Sequence, residues 1–121
     1  MDQSKSAAEE MNDRLAVDHP INDYYSKSLW PIRKIEEGRL RIIRDMISAG
    51  PGDKVLEVGS GGGHVLRMFR ESKLTAVDVS GKFLETAREN LQGYDCEFIK
   101  GEIDKLGLPA ASFDRVICTE V

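Results

Sequence analysis

From Asp53 onward the chain alternates short apolar runs with stretches of helical spacing. Lys54–Val58, Leu74–Val77, Cys96–Ile99 and Arg115–Thr119 read as strands. Each is largely apolar, the pattern of a strand buried on both faces of a sheet. Between them, Gly62–Glu71 carries Val65, Leu66, Met68 and Phe69, and Gly81–Leu91 carries Phe83, Leu84, Ala87 and Leu91. Both spacings predict helices, and Ser80 stands before the second as an N-cap. Strands that alternate with helices build a parallel sheet through right-handed crossovers, so the expected class is α/β.

The first fifty residues follow another pattern. Residues 1–20 are polar and acidic, and Ala7, Ala8, Met11 and Leu15 make only a weak helical stripe. They read as a loosely docked leader to which no chemistry is assigned. In residues 21–50, Tyr24, Tyr25 and Trp30 come close together, and Pro31 suits the opening turn of a helix running to Ala49. Ile32, Ile35, Leu40, Ile43 and Ile47 fall on one side of it, as in a helix lying on a core. Gly50, Pro51 and Gly52 are expected to stop it. The aromatics either pack this helix or close over a ligand.

Composition narrows the classes. At 121 residues the chain fits one domain. Its 17 Lys and Arg against 21 Asp and Glu give a net charge of −4. With a pI near 5.2, nucleic acid is not favoured as a partner, since it rewards a basic face. No apolar run has the length of a membrane span, and the N-terminus has no secretory apolar core, so the expected location is cytoplasmic. Cys96 and Cys118 form no framework and no metal spacing, and both read as small apolar residues. His19 has no companion ligands, and His64 reads as a solvent-facing residue at a helix start rather than a base.

The informative stretch is VLEVGSGGGHV, residues 55–65, where a strand runs into Gly59, Gly61, Gly62 and Gly63 and then into a predicted helix. Glycines there permit positive φ and let the backbone approach a bound molecule closely. The dinucleotide pattern G-x-G-x-x-G/A needs Gly or Ala at position 64, which is His64. An acidic residue followed by x-G-x-G-x-G fits instead, through Glu57, Gly59, Gly61 and Gly63. In this the chain resembles the Rossmann-like, class I S-adenosylmethionine-dependent methyltransferases. PGDKVLEVGSGGG at 51–63 is similar to their first motif, and the resemblance extends over residues 51–121.

Asp78, at the end of the second strand, emerges at the same sheet edge as the glycine turn. A carboxylate there can accept bonds from both ribose hydroxyls, in NAD and S-adenosylmethionine sites alike. The resemblance implies that Glu102 faces the adenine amino group and Ile103 lies against the ring, although the family more often has Asp at the place of Glu102. It implies that Glu57 organises the turn and reaches the methionine ammonium; bonding only to turn amides is the other reading. Ser60 and Val79 complete the expected cofactor shell, with Thr119 at the end of the fourth strand nearest the methyl group.

By resemblance the reaction is attack of a nucleophile on the sulfonium methyl, with the protein positioning and desolvating. No catalytic residue is assigned and the acceptor is unidentified, a small molecule or otherwise. A full sheet of this family needs more strands, so the expected object is a half-domain over 51–121. Its fourth strand would be an exposed edge that invites pairing and lowers solubility. Three readings stay open: the cofactor-binding part of a methyltransferase, a non-catalytic S-adenosylmethionine-binding or interaction module, and a nicotinamide dehydrogenase fragment.

Overall fold

The computed structural model describes residues 5–18, 30–109 and 111–119, with the backbone alone at 15–18. The expectations for His19, Tyr24 and Tyr25 lie outside the described residues. The elements are α1 (Ala7–Asp18), α2 (Trp30–Ile47), β1 (Lys54–Val58), β2 (Lys73–Asp78), α3 (Gly81–Asn90), β3 (Cys96–Lys100) and β4 (Arg115–Ile117), with 3-10 turns at Leu66–Met68 and Ile103–Lys105.

The strands form one sheet in the order β3-β2-β1-β4, with every neighbouring pair parallel. This is the expected Rossmann-like α/β sheet. β1 and β2 are the inner strands, and their apolar runs reflect burial on both faces. Val55, Leu74, Ala76 and Ile117 join Val65, Leu66, Phe69, Leu84 and Leu91 in one cluster, against which Leu40, Ile43 and Ile47 of α2 pack. The alternate residues Leu56, Val58 and Val77 face the other side, covered by Ile99, Leu106, Leu108 and Phe113. A period of two along each strand thus divides the core into two layers.

Several expectations are corrected. No α-helix spans Gly62–Glu71; the segment is a series of turns around the 3-10 turn Leu66–Met68. Gly61 at φ 55° and Gly63 at φ 79° hold its start outside helical geometry. The bonds Met68 N to Val65 O (3.1 Å) and Phe69 N to Leu66 O (3.0 Å) are the tight i to i+3 kind. Val65, Leu66 and Phe69 are buried nonetheless, so the apolar pattern marked core residues correctly and their helical state wrongly.

The α2 stripe is also only half used. Leu40, Ile43 and Ile47 pack on the sheet, but Ile35 is 70% exposed and Ile32 and Trp30 are exposed too. An 18-residue helix is about 27 Å long. Its core contacts run from Leu40 to Ile47, so its first turns stand outside the core contact. Trp30 neither packs the core nor closes over the site. The helix stops before Gly50, at Ser48, which takes φ 51°, and Arg115 Nε donates to the orphan carbonyl of Ile47 at 2.8 Å.

β4 ends at Ile117, leaving Cys118 and Thr119 exposed; Cys118 is therefore not a core residue. Cys96 is half-buried, and burial pushes its thiol up to about 11. The helical part of the leader is α1, which docks on α3 through polar contacts described below. Among the described residues no helix is long and apolar enough to cross a membrane.

Candidate functional site

In a parallel sheet the carboxyl ends of the strands share one edge, and ligands bind in the crevice outside it. At that edge β1 passes from Val58 into Gly59, at φ 72°. The amides of Gly59 and Ser60 both donate to the carbonyl of Val77, at 2.8 and 3.1 Å. The turn is therefore hung on β2. Gly61, at φ 55°, donates its amide to Asp78 Oδ2 at 2.9 Å, and Ser80 N donates to Asp78 Oδ1 at 2.9 Å. Asp78 is buried and links the glycine turn to the start of α3.

Beside this junction lies a cleft of about 540 Å³, lined in part by Gly59, Gly61, Asp78, Val79, Glu102 and Ile103. All six were expected from sequence, and the structure brings them together. Four others are not on its walls. Glu57 is 2% exposed, paired in register with Ala76 and Ile117 within the sheet. Ser60 is buried, and its Oγ has no hydrogen-bond partner among the described residues. Thr119 is exposed beyond the end of β4. Gly63 serves packing: a Cβ there would lie 2.9 Å from Leu91 Cδ1 and 3.5 Å from Ala87 Cβ, so its bare Cα lets α3 approach the turn. The carbonyl of Gly62 accepts from Asn90 Nδ2 at 2.8 Å at the same contact.

Glu102 lines the cleft, but its Oε2 pairs with Lys105 Nζ at 2.8 Å, which raises the Lys105 ammonium above its usual value. Ile103, 39% exposed, offers an apolar face. His64, expected in solvent, is half-buried, and burial together with the nearby charge of Arg67 lowers it to about 4. Its imidazole is neutral at pH 7.

Sequence reasoning missed part of the wall. Phe83 was read as a core residue of its helix; it is only half-buried and lines the cleft. Ala8 and Asn12 of α1 line it too. Nothing local in the leader marks them, because the contacts that bring α1 here join residues far apart in the chain. Ser80 Oγ donates to Asp13 Oδ1, and Lys5 Nζ lies 2.6 Å from Asp13 Oδ2. The Lys5 ammonium, then the Ser80 hydroxyl, hold the Asp13 carboxyl below its usual value. Lys100 Nζ pairs with Glu9 Oε1 at 2.5 Å.

Comparison with known proteins agrees with this geometry. A family model described as "Methyltransferase domain" matches residues 55–121. The malonyl-(acyl-carrier protein) O-methyltransferase of Serratia marcescens is 34% identical over 71 residues, covering 57% of this chain and 27% of that protein. A structure of a putative methyltransferase from Bacillus halodurans is 26% identical, with a TM-score of 0.59 over 67% of this chain and 37% of that one. The magnesium protoporphyrin IX methyltransferase of Synechocystis PCC 6803, solved with bound SAH, reaches a TM-score of 0.70 at 20% identity, covering 93% of this chain and 57% of that one. That last likeness concerns the fold alone. The chain spans about a quarter of the Serratia relative it matches. Because the family match begins within β1, takes in the glycine turn and Asp78, and covers more than half of the sequence, the chain belongs to the methyltransferase domain family.

Proposed function

We propose that this chain binds S-adenosyl-L-methionine in the cleft at the ends of β1, β2 and β3 and supplies the cofactor-binding part of a methyltransferase. The observation that carries this reading is Asp78, buried at the cleft and fixed by two amides, one on each carboxylate oxygen. A carboxylate has about four lone-pair positions, so each oxygen keeps capacity for a ribose hydroxyl. The chain fits such a group in other ways. Gly59 and Gly61 carry positive φ at the cleft, Ile103 and Phe83 supply apolar wall, and a buried hydroxyl at Ser60 is unpaired among the described residues.

When bound, the cofactor supplies an activated methyl group on a positively charged sulfur. The chain's own residues would orient and desolvate. Asp78 would hold the ribose and Val79 lie beside it, while Glu102 and Ile103 would meet the adenine. Glu57, Ser60 and Gly63 would shape the turn from beneath, and Thr119 would stand towards the methyl end. Positioning of this kind accounts for much of the rate in well-oriented reactions. The methyl acceptor and its accepting atom are unassigned. The outer edge of β4, the last strand in the sheet order, is where a further strand would pair.

Calorimetric titration with S-adenosylhomocysteine and, separately, with NADH tests the reading. Binding of the first and not the second is expected; NADH binding alone, or neither, overturns it.

A further inference from the structure

Helix α1 walls the cleft, yet none of its described side chains belongs to either apolar cluster. It is fastened by polar contacts. Ser80 Oγ accepts the Phe83 amide at 3.2 Å as the cap of α3 and donates to Asp13 Oδ1, so one fully buried hydroxyl serves both helices. Lys5 occupies the other oxygen of Asp13. One turn earlier, Glu9 pairs with Lys100 at the end of β3. Ser80 also bonds to Asp78 through its backbone amide, and Asp78 bonds to Gly61. A continuous line of bonds thus runs from α1 to the glycine turn through Asp13, Ser80 and Asp78.

Removing one member of a buried polar pair leaves the other without its bond, whereas apolar packing would have degraded gradually. A segment held by few apolar contacts also opens more readily than the core. Resting on the reading of the cleft as an S-adenosylmethionine site, we propose that Asp13 is a positioning residue: by anchoring α1 to Ser80 it holds Ala8 and Asn12 against the cleft, making α1 a reversible wall that retains the bound nucleoside. Asn12 stands one residue from the anchor, and its Nδ2 donates to the Ala8 carbonyl at 2.9 Å, so the two wall residues move as one turn of helix.

The test measures S-adenosylhomocysteine dissociation rates for the full chain, Asp13→Ala, Asp13→Asn and Glu9→Gln. Release from Asp13→Ala is expected to be about tenfold faster with little change in association, since bonds to a charged group are of that size and affinity changes fall mainly on release. Asp13→Asn, which keeps an acceptor for Ser80, should fall between, and Glu9→Gln should also be faster than the unaltered chain. Hydrogen exchange across residues 7–14, without ligand, should quicken in Asp13→Ala while the melting temperature stays close to that of the unaltered chain. Equal release and exchange in all four proteins overturn the anchoring role and leave the cofactor reading standing. No binding by the unaltered chain overturns both.

Discussion

Asp78 Oδ2 accepts the amide of Gly61 at 2.9 Å, so the residue positioned to hold a ribose also fixes the turn that must come close to the same ligand. Binding and local order are coupled through one side chain. Asp78→Ala should therefore lower stability by about 2 kcal/mol, the scale for leaving buried donors unpaired, and weaken S-adenosylhomocysteine binding by at least about tenfold. Urea unfolding and calorimetry on the same preparation read the two effects. Unchanged stability with lost binding would assign Asp78 to the ligand alone.

Gly63 and Gly52 separate backbone strain from collision. Both have positive φ, 79° and 78°, but a Cβ at Gly52 meets nothing within 4 Å, while at Gly63 it meets the buried Leu91. Gly52→Ala should cost about 1 kcal/mol, the left-handed penalty. Gly63→Ala should cost about 2 kcal/mol more, because overpacking is added to that penalty. Chemical denaturation of the two variants gives the difference directly.

His64 should make stability depend on pH. Its folded value is about 4 against 6.5 for the free side chain, so below pH 6.5 the unfolded chain holds more protons than the folded one. The contribution is complete above about 6.5, declines as pH falls, and is gone below about 4. His64→Gln should flatten the stability profile across that window. Denaturation midpoints from pH 7 to 4 for both proteins measure it.

Adjacent isoleucines on α2 should behave oppositely. Ile42 is 61% exposed, whereas Ile43 packs on the core. Ile42→Ala should stay within about 0.5 kcal/mol of the unaltered chain. Ile43→Ala should lose about 2 kcal/mol by leaving a cavity. Matched melting curves decide between this orientation and a helix rotated by one residue.

What the sequence made legible is what local pattern controls. The runs around Val55–Val58 and Leu74–Val77 are apolar because both faces of inner parallel strands are buried, and that cause acts residue by residue. The glycine turn and Asp78 were readable because strand order and spacing put them on one edge. The exposure of the first turns of α2 was not, because Ile32 and Ile35 continue the stripe although the core contacts begin only at Leu40; where a helix meets the core is set by tertiary placement, not by its own spacing. The segment after Gly63 kept its buried residues but not its helix, since turn geometry set by glycines overrode the spacing. The α1 wall was hidden for a different reason: Asp13 and Ser80 are 67 positions apart, and neither carries a sign of the other.

Val77, Asp78 and Ser80 do separate jobs within four consecutive positions: a carbonyl that takes two amides of the turn, a carboxylate that takes a third, and a hydroxyl that starts one helix and anchors another. Deleting a single residue here would displace all three functions in the same stroke, whereas residues 92–95, between α3 and β3, hold no part of the glycine turn or the anchor: Tyr94 packs on the core and donates to the Arg67 carbonyl, and the Asp95 carbonyl accepts from Leu74. A change of length at the start of α3 should thus reach the glycine turn and the α1 anchor together, whereas one at its far end reaches neither directly.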